Sequence, residues 1–449
     1  MYLQLTNAAI TYTISHIMQV AAPALSYKWE YAGDSGLRII CQGPHPLHIF
    51  LDLLDLSQYK QLIEGTFPTH MMDSFDGQIQ IPVFLKNAGT PFIEEEGADS
   101  IEVHGDVITV SFLLLSRKEE QLIPDRDAYG RFPYEASLCA RYSFVDCPII
   151  DEWAMLLRQA ISKKIPSEQL GTHRPTLRPT HDMDNLRRFP GVKTAMRSIV
   201  GGDLLLRKNP GLAVHSLLRY FKSKNDPMLD PCIEGGEKLL QVSLENRLCS
   251  EFYFMGLEAG EEDVRYDVRI PSGAAFAQKV REEGMVCGFH PSRLTIRDEN
   301  RFLTELQRVK VGIGEPIVCG RQHYLGFDVE RTPRFWESGA MQADSTLGFA
   351  RREGFRCGTC HPFPLYDLHR DTPLSVTERP LIAMDVTLRE RGLSPEQALC
   401  SLQRLFSRTK AVCGDFVILW HNDNAVRDWS GWFSQVYVPF IRDAASQLA

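Results

Sequence analysis

Beyond residue 184 the chain alternates short apolar runs with stretches whose apolar positions recur at helical spacing, and no other feature restricts its fold as much. The runs fall at 251–255, 285–290, 316–319, 381–386 and 416–421. Between two of them, Phe302, Leu303, Leu306 and Val309 follow Asp298, a side chain suited to accept from the free N–H groups of a helix start. A second stretch opens on Ser394, with Pro395 at the first helical position and Gln397 completing a capping box. Its apolar stripe is Leu399, Leu402, Leu405 and Phe406. Strand then helix, repeated, predicts an α/β fold on a mainly parallel sheet, open or closed into a barrel. In barrels the reactive side chains gather where strands end. Asp184, His290 and His421 stand at three such predicted ends.

The first 165 residues lack this rhythm. A helix is expected up to about Val20, strands at 37–41 and 81–85, and a helix from Trp153. Runs at 101–104 and 107–115 flank Gly105-Asp106 and predict a hairpin. A linker containing Pro166, Pro175 and Pro179 follows over 163–179. At 449 residues the chain is too long for one ordinary domain. The expected division is an α+β accessory domain over 1–165 and a (β/α) unit over 172–449, the latter with a basic helical insertion at about 187–235.

A net charge of −8 argues against a dedicated nucleic-acid binder, so any positive surface must be local. One local surface exists: 187–224 holds nine Lys or Arg residues and a single acid, Asp203. Such a segment is either a solvated helical face or a basic flap facing an anionic, phosphate-linked carrier. No apolar stretch reads as a transmembrane segment, the opening residues lack a basic leader, and eleven scattered cysteines read as free thiols. A cytoplasmic location is the expectation.

The chemistry centres on Thr180-His181-Asp182-Met183-Asp184. In a strand, residues two apart share a face, so Asp182 and Asp184 project together while Met183 turns away. Neighbouring carboxylates push their pKa values apart and can divide labour between binding a metal and moving protons. The plainer alternative is a strand end running into an Asx turn. His290 in Gly288-Phe289-His290-Pro291-Ser292, the loop Arg321-Gln322-His323-Tyr324, and Trp420-His421-Asn422 behind an apolar strand supply further polar groups. Cys357-Gly358-Thr359-Cys360-His361 has the spelling of a c-type haem site, but that attachment needs an exported, oxidising setting. Structural thiols on a loop over the barrel mouth, with His361 lining the cleft, fit better.

Taken in chain order, these motifs resemble those of the polysaccharide deacetylases of the NodB-homology type, carbohydrate esterase family four. The resemblance runs from about Thr172 to Ala449. It implies a distorted (β/α) barrel with fewer strands than a TIM barrel and a divalent metal, zinc before others. The implied reaction removes an N-acyl group from a carbohydrate. It further implies Asp182 as catalytic base, Asp184 and His290 as metal ligands, and Arg321 steadying the base. The Tyr324 backbone amide would stand at the oxyanion and His421 would be the general acid. Asp344, in Ala343-Asp344-Ser345-Thr346, matches a stretch on the substrate side, where Trp420 and His361 are also expected.

Three positions depart from the pattern. Leu294 stands where the second metal histidine belongs, His323 replaces a proline, and the inserted Met183 leaves the roles of Asp182 and Asp184 interchangeable. His323 is the expected replacement for the missing ligand. Two other functions stay open on the sequence: an inactive carbohydrate-binding or scaffold homologue, and an amidohydrolase acting on a non-sugar amide.

Overall fold

The computed structural model describes residues 5–33, 36–43, 45–87, 89–206, 208–258, 261, 266–426 and 431–449. The N-terminal region carries a five-stranded sheet in the order Tyr27–Tyr31, Gly36–Cys41, Leu47–Asp52, Ser100–Val103, Ile93–Glu94. In Leu47–Asp52 every second side chain is buried, as expected of a strand with one face on a core. The helix Asn7–Ala21 matches expectation, although residues 1–4 of the expected helical opening lie outside the described residues.

The hairpin expected around Gly105-Asp106 does not form. Residues 101–103 are a strand, but Val107–Leu115 is a helix with every residue buried. Asp106 caps it by accepting from Thr109 N at 2.7 Å. A helix buried on all sides lacks the one-sided apolar stripe that would betray it and is stable only when surrounded. The strand Leu47–Asp52 and the helices Asn7–Ala21 and Ile149–Ser162 pack around it.

The second sheet has nine strands: Phe363–Asp367, Thr372–Glu378, Ala343–Asp344, Cys319–Gly320, Val286–Phe289, Glu251–Phe254, Thr176–Met183, Asp415–Leu419, Leu381–Met384. All neighbours are parallel except the first pair. The sheet is curled and open, because its two edge strands do not pair among the described residues. The α/β expectation therefore holds at the level of a curled, mainly parallel sheet. The run at 316–319 contributes only Cys319–Gly320, and the antiparallel edge pair had no apolar-run signal. Pro179, expected in the linker, lies inside Thr176–Met183. It is opposite Ile418 and one residue before the pairing with Glu251–Phe254 begins, so on that side it leaves no ladder bond unmade. The capped helices Glu299–Ile313 and Pro395–Ala411 form as expected, with Asp298 and Ser394 accepting from Arg301 N and Gln397 N.

Strand alternation sorts side chains between the two faces of this sheet. Phe416, Ile418 and Trp420 enter the main core, while Val417 and Leu419 belong to a small cluster with Leu325, Leu381 and Met384 on the opposite face. The main core runs from Ala9 to Ala444 without a break between the two regions. Buried polar contacts reinforce that junction. Arg117 and Arg356 share Glu120, with Arg356 Nη2 at 2.5 Å, and Asp151 accepts from Thr359 Oγ1 and Cys360 N.

Candidate active site and metal centre

Because the central strands are parallel, their C-terminal ends share one rim. Asp182 is the penultimate residue of Thr176–Met183, with Asp184 just beyond. His290 follows Val286–Phe289, Arg321 follows Cys319–Gly320, and His421 lies two residues after Asp415–Leu419. Gly320 makes one of these placements possible: a Cβ there would lie 1.9 Å from Phe289 O, whereas the bare backbone lets Arg321 N donate to that oxygen at 3.0 Å.

The two aspartates face different neighbours. Asp182 Oδ1 accepts from Arg321 Nη1 at 3.0 Å, and Arg321 is itself fixed by Nε donating to Ser345 O and Nη2 to Ser345 Oγ. Asp184 lies among imidazoles. Its Oδ1 is 3.2 Å from His290 Nε2 and 3.8 Å from His323 Nε2, and its Oδ2 is 3.8 Å from His421 Nε2. Burial would raise the Asp184 carboxyl, but His323, His421 and His290 outweigh it and hold the group well below the usual carboxylate range. Burial also lowers His323, to about 4, so this ring is neutral at physiological pH.

Donor atoms of Asp184, His290 and His323 lie within 4.8 Å of one another. Among the buried atoms without a hydrogen bond are Asp184 Oδ1, His290 Nε2 and His323 Nδ1. His290 Nδ1 donates to Arg321 O at 2.6 Å, which aims Nε2 at Asp184; burial opposes a charge on this ring, but Asp182 and Asp184 raise its pKa, so Nε2 would release a proton on taking up a metal. Two donors on a tetrahedral zinc, with bonds of about 2.0–2.1 Å, stand about 3.3 Å apart. The spacings of 3.2 and 3.8 Å from Asp184 Oδ1 bracket that value. One carboxylate and two imidazoles also make a donor set suited to zinc with a position left open.

Asp385 was not anticipated from the sequence. It begins the helix that follows Leu381–Met384, is fully buried, and accepts from His421 Nδ1 at 2.7 Å and His421 N at 2.9 Å. Asn424 Nδ2 donates to the same carboxylate. Burial opposes a charge on His421, but Asp385 and Asp184 prevail and raise its pKa well above the ordinary value. The strand that ends just before Asp385 pairs with the one ending before His421, a neighbourhood that no local signal encodes.

Tyr129 and Arg131 were also missed. A pocket of about 200 Å³ is lined by Asp182, Asp184, His323, Tyr324 and His421, and by these two residues from the N-terminal region. The Tyr129 ring stacks on Tyr324 with centroids 5.3 Å apart, and Arg131 Nη1 donates to Tyr324 O at 3.0 Å. Tyr324 itself adopts a left-handed backbone, φ 60°.

Three expected substrate contacts lie elsewhere. Trp420 is fully buried on the outer face, its ring against Tyr437, because alternation turns it away from Leu419. Asp344 is fully buried behind Arg321, where it accepts from Thr346 Oγ1. Burial raises both its carboxyl and that of Glu378 beside it. His361 lies at the opposite rim. Cys360 O accepts from Asp415 N, at the start of a strand, and His361 Nε2 donates to Val412 O. Cys357 and Cys360 are both free and fully buried, Cys360 beside Asp151 at the junction with the N-terminal region rather than over the mouth.

A family described only as being of unknown function, DUF7033, matches residues 2–166. A crystal structure described as a "putative polysaccharide deacetylase" from Mycobacterium smegmatis is similar at 15% identity, covering 61% of this chain and 85% of that chain, with a TM-score of 0.40. No curated protein matches.

Proposed function

We propose that the protein is a metal-dependent hydrolase that removes an N-acyl group, acetyl in the simplest case, from a carbohydrate. The supporting observation is the division of labour at one rim. Asp184 lies among three imidazoles whose facing atoms include unpaired donors and acceptors, Asp182 is gripped by Arg321, and His421 is backed by Asp385. Asp184, His290 and His323 would hold the metal, which when bound would supply Lewis acidity and lower the pKa of a bound water from about 15.7 toward 7.

The remaining steps belong to the chain's own side chains. Asp182 has one oxygen committed to Arg321 and the other 3.7 Å from His290 Nε2, so its free oxygen faces the reacting centre. There it takes the proton of the attacking water. Asp385 accepts from His421 Nδ1 and favours the imidazolium, and His421 donates its Nε2 proton to the departing amine. Asp385 also fixes the ring so that Nε2, not Nδ1, faces the substrate. The Tyr324 amide is assigned to the oxyanion, on a loop that Arg131 anchors. Water is consumed, the carbon–nitrogen bond breaks, and a carboxylate and a free amino sugar result.

The test is acetate release by the purified, zinc-loaded chain. The substrates are N-acetylated oligosaccharides and nucleotide-linked N-acetyl sugars, with simple amides beside them. Release from a sugar that stops on chelation and returns with zinc supports the reading. Turnover confined to simple amides overturns the substrate class, and bound metal without turnover on any substrate overturns the activity.

A further inference from the structure

The insertion that follows Asp184 folds as the helix Val192–Met196, the π-helical turns Arg197–Leu206 and the helix Pro210–Asn225. It leaves the sheet at the site's rim and ends at the start of the helix Pro231–Glu245, which is tied to the same rim. Asp230 accepts from both Arg188 N and Cys232 N, while Asn422, the neighbour of His421, donates to Asn185 O and Cys232 O.

The longest of these helices is turned inside out. Ala213, Ser216 and Ser223 are its buried residues, whereas Val214, Leu217, Leu218 and Phe221 are 59, 42, 57 and 55% exposed. These four recur at i, i+3, i+4 and i+7, the spacing by which a helix ordinarily faces a core. Leu205 and Leu206, exposed at 66 and 80%, and Val192, Met196, Val200 and Leu204 extend the apolar surface across the preceding turns. A solvated helical face would carry polar residues at these positions, and most of the exposed large hydrophobic side chains among the described residues lie in this one insertion.

Charge decides what covers the surface. Lys193, Arg197, Lys208, Lys222 and Lys224 are exposed around it, whereas Asp203, the single acid of 187–224, is fully buried. Arg207, counted among the cations in the sequence, lies outside the described residues. A symmetric dimer through this face would bring two clusters of mostly positive charge together. A bilayer with anionic headgroups accepts the apolar stripe below the headgroups and the cations among them, as interfacial helices do. No helix of the described residues is long and apolar enough to cross a membrane, so the contact would be peripheral.

We propose that the insertion at 187–224 docks the protein on an anionic lipid surface, with the exposed stripe of Pro210–Asn225 and the turns before it entering the interface. Docking there would hold the pocket rim next to the membrane. This inference rests on the insertion's surface and not on the hydrolase reading, and its readout is binding rather than activity.

Co-sedimentation of the full chain with phosphatidylcholine vesicles, with and without about a third phosphatidylglycerol, tests it. Binding should favour the anionic vesicles by about tenfold or more and weaken as salt rises from about 0.1 to 0.5 M, where screening shortens from about 10 Å to a few Å. Leu217→Ser/Leu218→Ser/Phe221→Ser and Lys222→Glu/Lys224→Glu alter exposed side chains only, so each should keep its unfolding temperature while losing about tenfold or more in binding. Absence of binding by the unaltered chain, or equal binding by folded variants, overturns the proposal. So does a dimer, measured by light scattering, that the triple serine variant dissociates while vesicles bind neither form.

Discussion

Replacing His323 by alanine tests the metal centre most directly, because position 323 is where the sequence departs from the deacetylase pattern and where the structure offers a third donor. Four-ligand protein zinc sites bind with about 10–16 kcal/mol, or about 3 kcal/mol for each ligand. Removing one of three should therefore weaken affinity by about 10²-fold, since 1.4 kcal/mol is a factor of about ten. His323 is the looser of the two imidazoles. It lies 3.8 Å from Asp184 Oδ1 against 3.2 Å for His290, and it has no counterpart to the bond from His290 Nδ1 to Arg321 O. The loss for His323→Ala should thus fall at or below about 10²-fold, and that for His290→Ala above it. Competition with a chromophoric zinc chelator measures both, with metal content by mass spectrometry as a check. If His323→Ala keeps full affinity while His421→Ala loses it, the third donor is His421, whose Nε2 is as close to the other oxygen of Asp184. If none of the three alanine variants changes affinity, no zinc is held by this cluster and the reasoning is refuted.

Asp182→Asn should abolish hydrolysis with zinc still bound, because the amide keeps an acceptor for Arg321 but takes no proton, whereas Asp184→Asn should lower zinc occupancy. Reversed phenotypes would exchange the two roles. His421→Ala should slow amide turnover by about 10²–10⁴ and slow an activated ester much less, since a good leaving group needs little protonation. Equal losses on both would remove His421 from the acid role. Tyr129→Ala and Arg131→Ala, far from the chemistry in sequence, should reduce kcat/KM by disturbing the Tyr324 loop while leaving zinc affinity intact. Unchanged kinetics would make the N-terminal wall of the pocket a bystander. Away from the site, burial pushes Glu152 from an ordinary 4.5 to about 7. The folded chain then holds a proton that the unfolded chain has lost across this window, so stability is full below about pH 4.5 and declines as pH rises through about 7. Glu152→Gln should remove that decline and exceed the natural chain at pH 8 by up to about 3 kcal/mol in urea unfolding, with little difference at pH 5. Identical pH profiles would show that the side chain titrates normally.

Short-range signals were legible in the sequence. The caps at Asp298 and Ser394, the repeated apolar runs and the two-residue period placing Asp182 and Asp184 at one mouth all depend on residues within a few positions of one another. The same period, applied to Leu419-Trp420-His421, already sends Trp420 to the face opposite Leu419, so its expected substrate contact conflicted with alternation. Val107–Leu115 was illegible for a different reason: Thr109 and Ser111, two apart in an otherwise apolar run, carry the strand period rather than the helical one, and only complete enclosure selects a helix.

What tertiary structure decided is which distant segments meet. Asp385 reaches His421 because the strand before it, Leu381–Met384, lies beside Asp415–Leu419, and Arg131 reaches Tyr324 across 193 positions of sequence. Cys360 and His361 fall at the far rim because their loop meets the start of Asp415–Leu419 rather than its end. The sequence by itself determined which residues can form strands and helices and which side chains can offer donor atoms, since those properties are local. Strand order, the open edge of the sheet and the partners of each catalytic candidate depend on how the whole apolar surface is buried at once, and only the folded chain resolves that.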